Sequence, residues 1–136
     1  MIKLIVGDKG SGKTKQMIEM INNSVETTKG CIVCIEKGMK STYNINSAVR
    51  LIDVDDYDIS GYTMLYGFFM GVLACNYDIQ EVYIDGILKV GMQDIEGLGD
   101  FLDRISPVVQ RENVKVVVTV STDLANLTEN LCKYLD

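Results

Sequence analysis

An α/β fold, a mainly parallel sheet of about five strands flanked by helices, is what this sequence predicts, and three observations carry that expectation. Short apolar runs (Ile2–Val6, Cys31–Ile35, Val49–Val54, Val82–Asp85 and Val114–Val120) recur along the chain, most of them separated by helical patterns. The runs are apolar nearly throughout, as strands covered on both faces must be. A glycine-rich turn, residues 7–14, joins the first run directly to the first helical pattern.

Taken in order, Ile2–Val6 reads as the first strand. The helix that follows, Lys13 to Val25, sets Met17, Ile18, Ile21 and Val25 on one core-facing stripe. Thr27-Thr28-Lys29-Gly30 ends it. Cys31–Ile35 is the second strand, with Glu36 at its carboxyl end, the sheet edge at which open α/β folds bind ligands. Residues 37–48 have no clear period and read as a mobile loop. Val49–Val54 reads as a short edge strand. Asp53, Asp55, Asp56 and Asp58 read as a solvated loop; a divalent-cation role lacks the glycine-punctuated calcium-loop pattern.

Tyr62–Cys75 predicts a largely buried helix. Its Gly67 and Gly71 allow close packing on the sheet, with helix pairing in a dimer as the alternative. Val82–Asp85 is the next strand. Leu98, Phe101, Leu102, Ile105 and Val109 mark an amphipathic helix that Pro107 should kink or split. Val114–Val120, the most β-branched run, reads as a central strand. A last helix, capped by Ser121, Thr122 or Asp123, then buries Leu124, Leu127, Leu131 and Leu135.

At 136 residues and 47% hydrophobic content, residues 1–136 form one domain by length and can build a sizeable core. Tyr62–Cys75 is shorter than the about 20 residues a membrane span requires. The first strand begins at once and leaves no room for a signal peptide, so the expectation is a cytoplasmic protein. The net charge of −6 is uneven. Residues 1–40 carry seven lysines against four acids, while residues 41–136 carry six basic residues against fifteen acids. That acidic remainder argues against wrapping nucleic acid, whose affinity rests on many phosphate contacts. Of the four cysteines, Cys31 and Cys34 have C-x-x-C spacing. Within a strand, residues three apart point to opposite faces, so all four read as reduced core thiols, with metal or redox roles as the alternatives.

Gly7-Asp8-Lys9-Gly10-Ser11-Gly12-Lys13-Thr14 has the form G-x-x-x-x-G-K-T. Glycines let amides approach a phosphate, successive N–H groups form an anion nest, and a helix N-terminus adds positive charge. Lys13 can reach the β- and γ-phosphates, and the Thr14 hydroxyl can ligate Mg²⁺. These residues resemble the Walker A motif of P-loop NTPases, and Glu81-Val82-Tyr83-Ile84-Asp85 resembles a Walker B strand. The whole chain resembles a short, stand-alone bacterial P-loop ATPase. It contains no histidine and so departs from the secretion and twitching-motility motors, whose motor function is not carried over. Lys9 lies one place from the extra lysine of the K-G-G-x-G-K-T variant loop.

The resemblance implies a three-layer P-loop NTPase fold that binds ATP through residues 7–14. It implies Mg²⁺ held by Thr14 and Asp85, catalysis by Lys13, and a polar sensor on the strand after Walker B, Thr119 or else Ser121. Either hydroxyl is also an ordinary strand-end or cap group. ATPases of this branch usually carry a glutamate directly after the Walker B aspartate, and here Gly86 stands there. Glu36 is the substitute candidate, with a solvated strand-end carboxylate as its plainer role. The expected activity is a slow or partner-regulated ATPase, acting with a protein partner or a second copy. A nucleoside-type kinase lacks its arginine-rich lid here; Arg50, Arg104 and Arg111 are the only arginines. A nucleotide-binding module with little hydrolysis remains the other alternative. No N-K-x-D guanine motif is present, which favours ATP over GTP.

Overall fold

The structure is a computed structural model that describes residues 1–38 and 44–135. Residues 39–43, part of the expected 37–48 loop, lie outside the described residues. Among the described residues five strands form one sheet: β1 (Ile2–Gly7), β2 (Cys31–Glu36), β3 (Arg50–Asp53), β4 (Ile79–Ile84) and β5 (Lys115–Ser121). All are parallel, in the order β1-β5-β4-β2-β3. The expected edge strand β3 is at an edge, and the β-branched β5 is interior, between β1 and β4.

Period-two alternation divides the buried residues into two layers. Ile5, Ile32, Cys34, Tyr83 and Val117 pack with Met17 and Ile21 of α1 (Lys13–Thr27). Leu4, Val33, Ile35, Val82, Ile84, Val116 and Val118 form the larger core on the other face. Two helices cover it, α2 (Gly61–Cys75) through Leu65, Phe69 and Leu73, and α4 (Ile95–Arg111) through Leu98, Phe101, Leu102, Ile105 and Val109. Phe69 and Phe101 meet edge to face at 6.4 Å, a pairing that adds about 0.5–1.5 kcal/mol beyond burial. Among the described residues, the remaining α-helices are single turns, α3 (Ile87–Val90) and α5 (Glu129–Cys132). No helix of the described residues is long and apolar enough to cross a membrane.

Several sequence expectations need correction. Pro107 does not split α4, which runs on to Arg111; the turn beyond the proline is anchored by fully buried Val109. The last helix is instead a short 3-10 turn over Leu124–Asn126, capped by Asp123, followed by α5, capped by Thr128. Leu131 is buried, whereas Leu124 is 59% exposed. Cys34 alone of the four cysteines is buried; Cys31, Cys75 and Cys132 are exposed because each sits at the end of its strand or helix. Gly67 and Gly71 face outward, and a Cβ at either would meet open space, so they do not serve packing on the sheet. Asp53 is buried: its carboxylate accepts from Gly38 N at 3.0 Å and Asp55 N at 2.9 Å. The described end of the expected loop is pinned, with Ile45 buried and Asn22 of α1 bonded to Asn44 O and Asn46 N.

Candidate functional site

Because all strands are parallel, the carboxyl ends of β1, β2, β4 and β5 share one edge of the sheet, and the predicted site residues gather there. The 7–14 turn leaves β1 and enters α1 with Gly10 and Gly12 at φ +84° and +91°, a region L side chains rarely adopt. Gly12 is the N-cap of α1 and offers no side-chain hydrogen bond, so the first-turn N–H groups of the helix are left to other acceptors. Lys13 is buried and folds back on the turn, its ammonium donating to Asp8 O at 2.8 Å and Ser11 Oγ at 3.5 Å. Ser11 N also donates to Asp8 O at 3.0 Å. Gly7 O accepts from Thr122 N at 3.1 Å and ties the turn to the end of β5.

Across the edge, Asp85 follows β4 directly, and its N–H donates to Ile35 O at 2.9 Å. The Thr14 hydroxyl lies 3.1 and 3.2 Å from the two Asp85 carboxylate oxygens. Thr119, buried in β5, donates to Asp85 Oδ1 at 2.6 Å and accepts from Gly86 N at 2.7 Å. These bonds fix the carboxylate between the glycine-rich turn and the strand that separates β1 from β4. Glu36 is 3% exposed, not the solvated strand-end carboxylate that the sequence allowed. Beneath it, burial first, then the Glu36 and Asp85 charges, push the Cys34 thiol well above the ordinary thiol range. Cys34 is therefore no nucleophile near neutral pH.

Two adjoining cavities open here, and their charges differ. The larger, about 520 Å³, is lined by Lys9, Gly10, Gly12, Lys13, Thr14, Gly86, Leu88, Lys89, Gln93 and Ser121. That set holds three lysines and, among the described residues, no acid. The smaller, about 100 Å³, is lined by Glu36 and Asp85 with Thr14, Lys37, Gly38, Gly86, Lys89 and Ser121. Lys37 is held at 2.5 Å by Asp55. Asp8 and Ser11 shape the turn without lining either cavity, and none of the three arginines lines either one. Arg104 instead stacks 3.8 Å over the Tyr66 ring, and Arg111 meets Glu112 at the surface.

Sequence reasoning missed Lys89, Leu88 and Gln93. They lie on α3 and the turn after it, where Met92 and Gln93 hold left-handed φ of +57° and +62°. A single turn of helix carries no detectable period. The only available signal was the short distance of Lys89 from Asp85. Comparison with protein-family models and with curated proteins returns no match.

Proposed function

We propose that the chain is a P-loop NTPase of the ATPase branch, a slow Mg²⁺-dependent ATPase whose turnover a protein partner or a second copy would raise. The segregation of charge carries this reading. A cavity lined by three lysines and, among the described residues, by no acid suits a polyphosphate, the adjoining carboxylate pocket suits a cation and a water molecule, and Thr14 borders both. The strand order supports it as well, since the polar Thr119 strand lies between the turn-bearing and aspartate-bearing strands.

The donors fit the cofactor. Mg²⁺ prefers hard oxygen ligands and is typically held by one or two protein groups plus substrate phosphates. The Thr14 hydroxyl and the Asp85 carboxylate, already together, would supply those groups. When bound, the cation would neutralise charge on the phosphates. Lys13 and the amides of residues 7–14 would hold the β- and γ-phosphates, and positioning of this kind makes up most of phosphoryl-transfer catalysis. Glu36, buried in the pocket that Asp85 also lines, would orient the attacking water in place of the side chain missing at Gly86.

The test is ligand-induced stabilisation. Mg·ATP or Mg·ADP should raise the thermal midpoint, because a ligand that binds only the folded state stabilises it. Lys13→Ala should abolish the rise and the turnover while the protein still folds. An equal rise in wild type and variant would refute the site.

A further inference from the structure

Gly86 sits at φ +67° immediately after Asp85, and its carbonyl accepts from Lys89 N at 3.0 Å. This turn lays the Lys89 stem along the glycine: a Cβ at position 86 would stand 3.5 Å from Lys89 Cδ and 3.8 Å from Cε. The turn thus sets the lysine stem beside Gly86, at the cavity that Asp85 also lines. Lys89 is exposed and, among the described residues, makes no hydrogen bond or ion pair through its ammonium. The other lysines flanking the carboxylates are engaged, Lys13 with the turn and Lys37 with Asp55.

Lys89 also stands where the two cavities join; they share Thr14, Gly86, Lys89 and Ser121. Given the nucleotide reading above, on which this step rests, that junction is where the last phosphate of a triphosphate meets the carboxylate pocket. We infer that Lys89 contacts the terminal phosphate of the bound nucleotide, opposite Lys13, and makes the site distinguish triphosphate from diphosphate. It supplies from within the chain the cationic contact that an arginine supplies in many ATPases. A contact made only to the last phosphate adds affinity for the triphosphate and none for the diphosphate.

The experiment is calorimetric titration of the full chain with a non-hydrolysable Mg·ATP analogue and with Mg·ADP. Loss of one charge-assisted contact should weaken binding of the analogue to Lys89→Ala about tenfold or more, while ADP changes by less than about threefold. Lys89→Arg, which keeps the charge, should keep most of the preference; a loss equal to that of the alanine variant overturns the inference. An unchanged analogue-to-ADP ratio in Lys89→Ala also overturns it. Failure of the wild type to bind either nucleotide overturns the nucleotide reading itself, and this inference falls with it.

Discussion

Glu36 ends β2 at the carboxyl edge of the sheet, and Glu81 lies near the start of β4, toward the opposite edge; both side chains are buried. Glu81 is locked. The Thr28 hydroxyl donates to it at 2.6 Å, the Tyr83 hydroxyl donates to its other oxygen, and Lys115 stands 4.0 Å away. Ser24 reaches the same Tyr83 hydroxyl at 3.4 Å, so the cluster fastens the end of α1 to β4. Glu36 instead borders a cavity together with Asp85, a second carboxylate, and the Thr14 hydroxyl. One acid lies among groups that stabilise its charge within the fold, and the other lines a cavity that a second carboxylate also lines. The contrast to be tested is between an acid that holds the structure together and the acid to which the proposed function assigns the attacking water.

The largest expected effect tests the second half of the contrast. Glu36→Gln should lower ATP turnover by about 10²–10⁴, the usual contribution of a positioned acid or base, and should leave the nucleotide-induced rise in thermal midpoint intact. Asp85→Asn should behave differently and weaken the Mg²⁺-dependent part of binding, because it removes charge from the metal's shell. If wild type turns over and Glu36→Gln keeps its rate, Glu36 is a bystander and the contrast breaks.

Glu81→Gln should do the converse. It should cost about 1–3 kcal/mol of stability through a lost charged acceptor and leave nucleotide binding unchanged. The pH dependence follows from the same contacts. Burial pushes the Glu81 carboxyl up, but hydrogen bonds from Thr28, Tyr83 and Ser24 and the Lys115 charge outweigh it and hold the group below its ordinary 4.5. A carboxyl lowered in the folded state stabilises above its unfolded pKa and loses that contribution as the pH falls through its folded pKa. Chemical denaturation as a function of pH should therefore show wild type losing stability below about 4.5, and Glu81→Gln losing less over the same range. Asp103, lowered to about 2 by hydrogen bonds from Lys133, Tyr134 and Asn130, is common to both proteins and adds a loss of the same sign. A parallel acid limb in the two proteins would show that the Glu81 cluster is not part of what holds the fold.

The carboxyl edge was more legible in the sequence than the opposite edge. Residues 7–14 and Asp85 carry the spacings that the proposed phosphate and metal chemistry requires, and the apolar runs marked the strands and most of the core. The Glu81 cluster was invisible, because Thr28, Ser24 and Lys115 meet it only through sheet pairing and the return of α1. Lys89 was missed because one turn of helix has no period. Burial of Glu36 depended on how the neighbouring strands end, which local sequence does not encode. Cysteine composition suggested core thiols, yet Cys31 opens its strand at the exposed end. The C-terminal leucines have helical spacing, but Asp123 and Thr128 each cap a separate short turn and divide them.

The smallest expected effect comes from a region that belongs to neither edge. If the polar side chains that matter are concentrated at the two ends of the sheet, the outer face of α2 should tolerate change. Gly67 and Gly71 lie in the interior of that helix, exposed, with open space where a Cβ would stand. Glycine inside a helix is less favourable than alanine by about 0.5–1 kcal/mol, mainly because it is freer in the unfolded chain. Gly67→Ala and Gly71→Ala should therefore each raise stability by about that amount, additively, with nucleotide binding unchanged. The competing role for the pair is a helix–helix contact in a dimer, which needs a backbone approach that a methyl group would block. In that case the double variant would lose stability, and the wild-type thermal midpoint would rise with protein concentration. Denaturation at two concentrations, with sedimentation of both proteins, separates the outcomes: stabilised and concentration-independent leaves α2 as plain surface, and destabilised and concentration-dependent makes α2 an interface, a region apart from both edges.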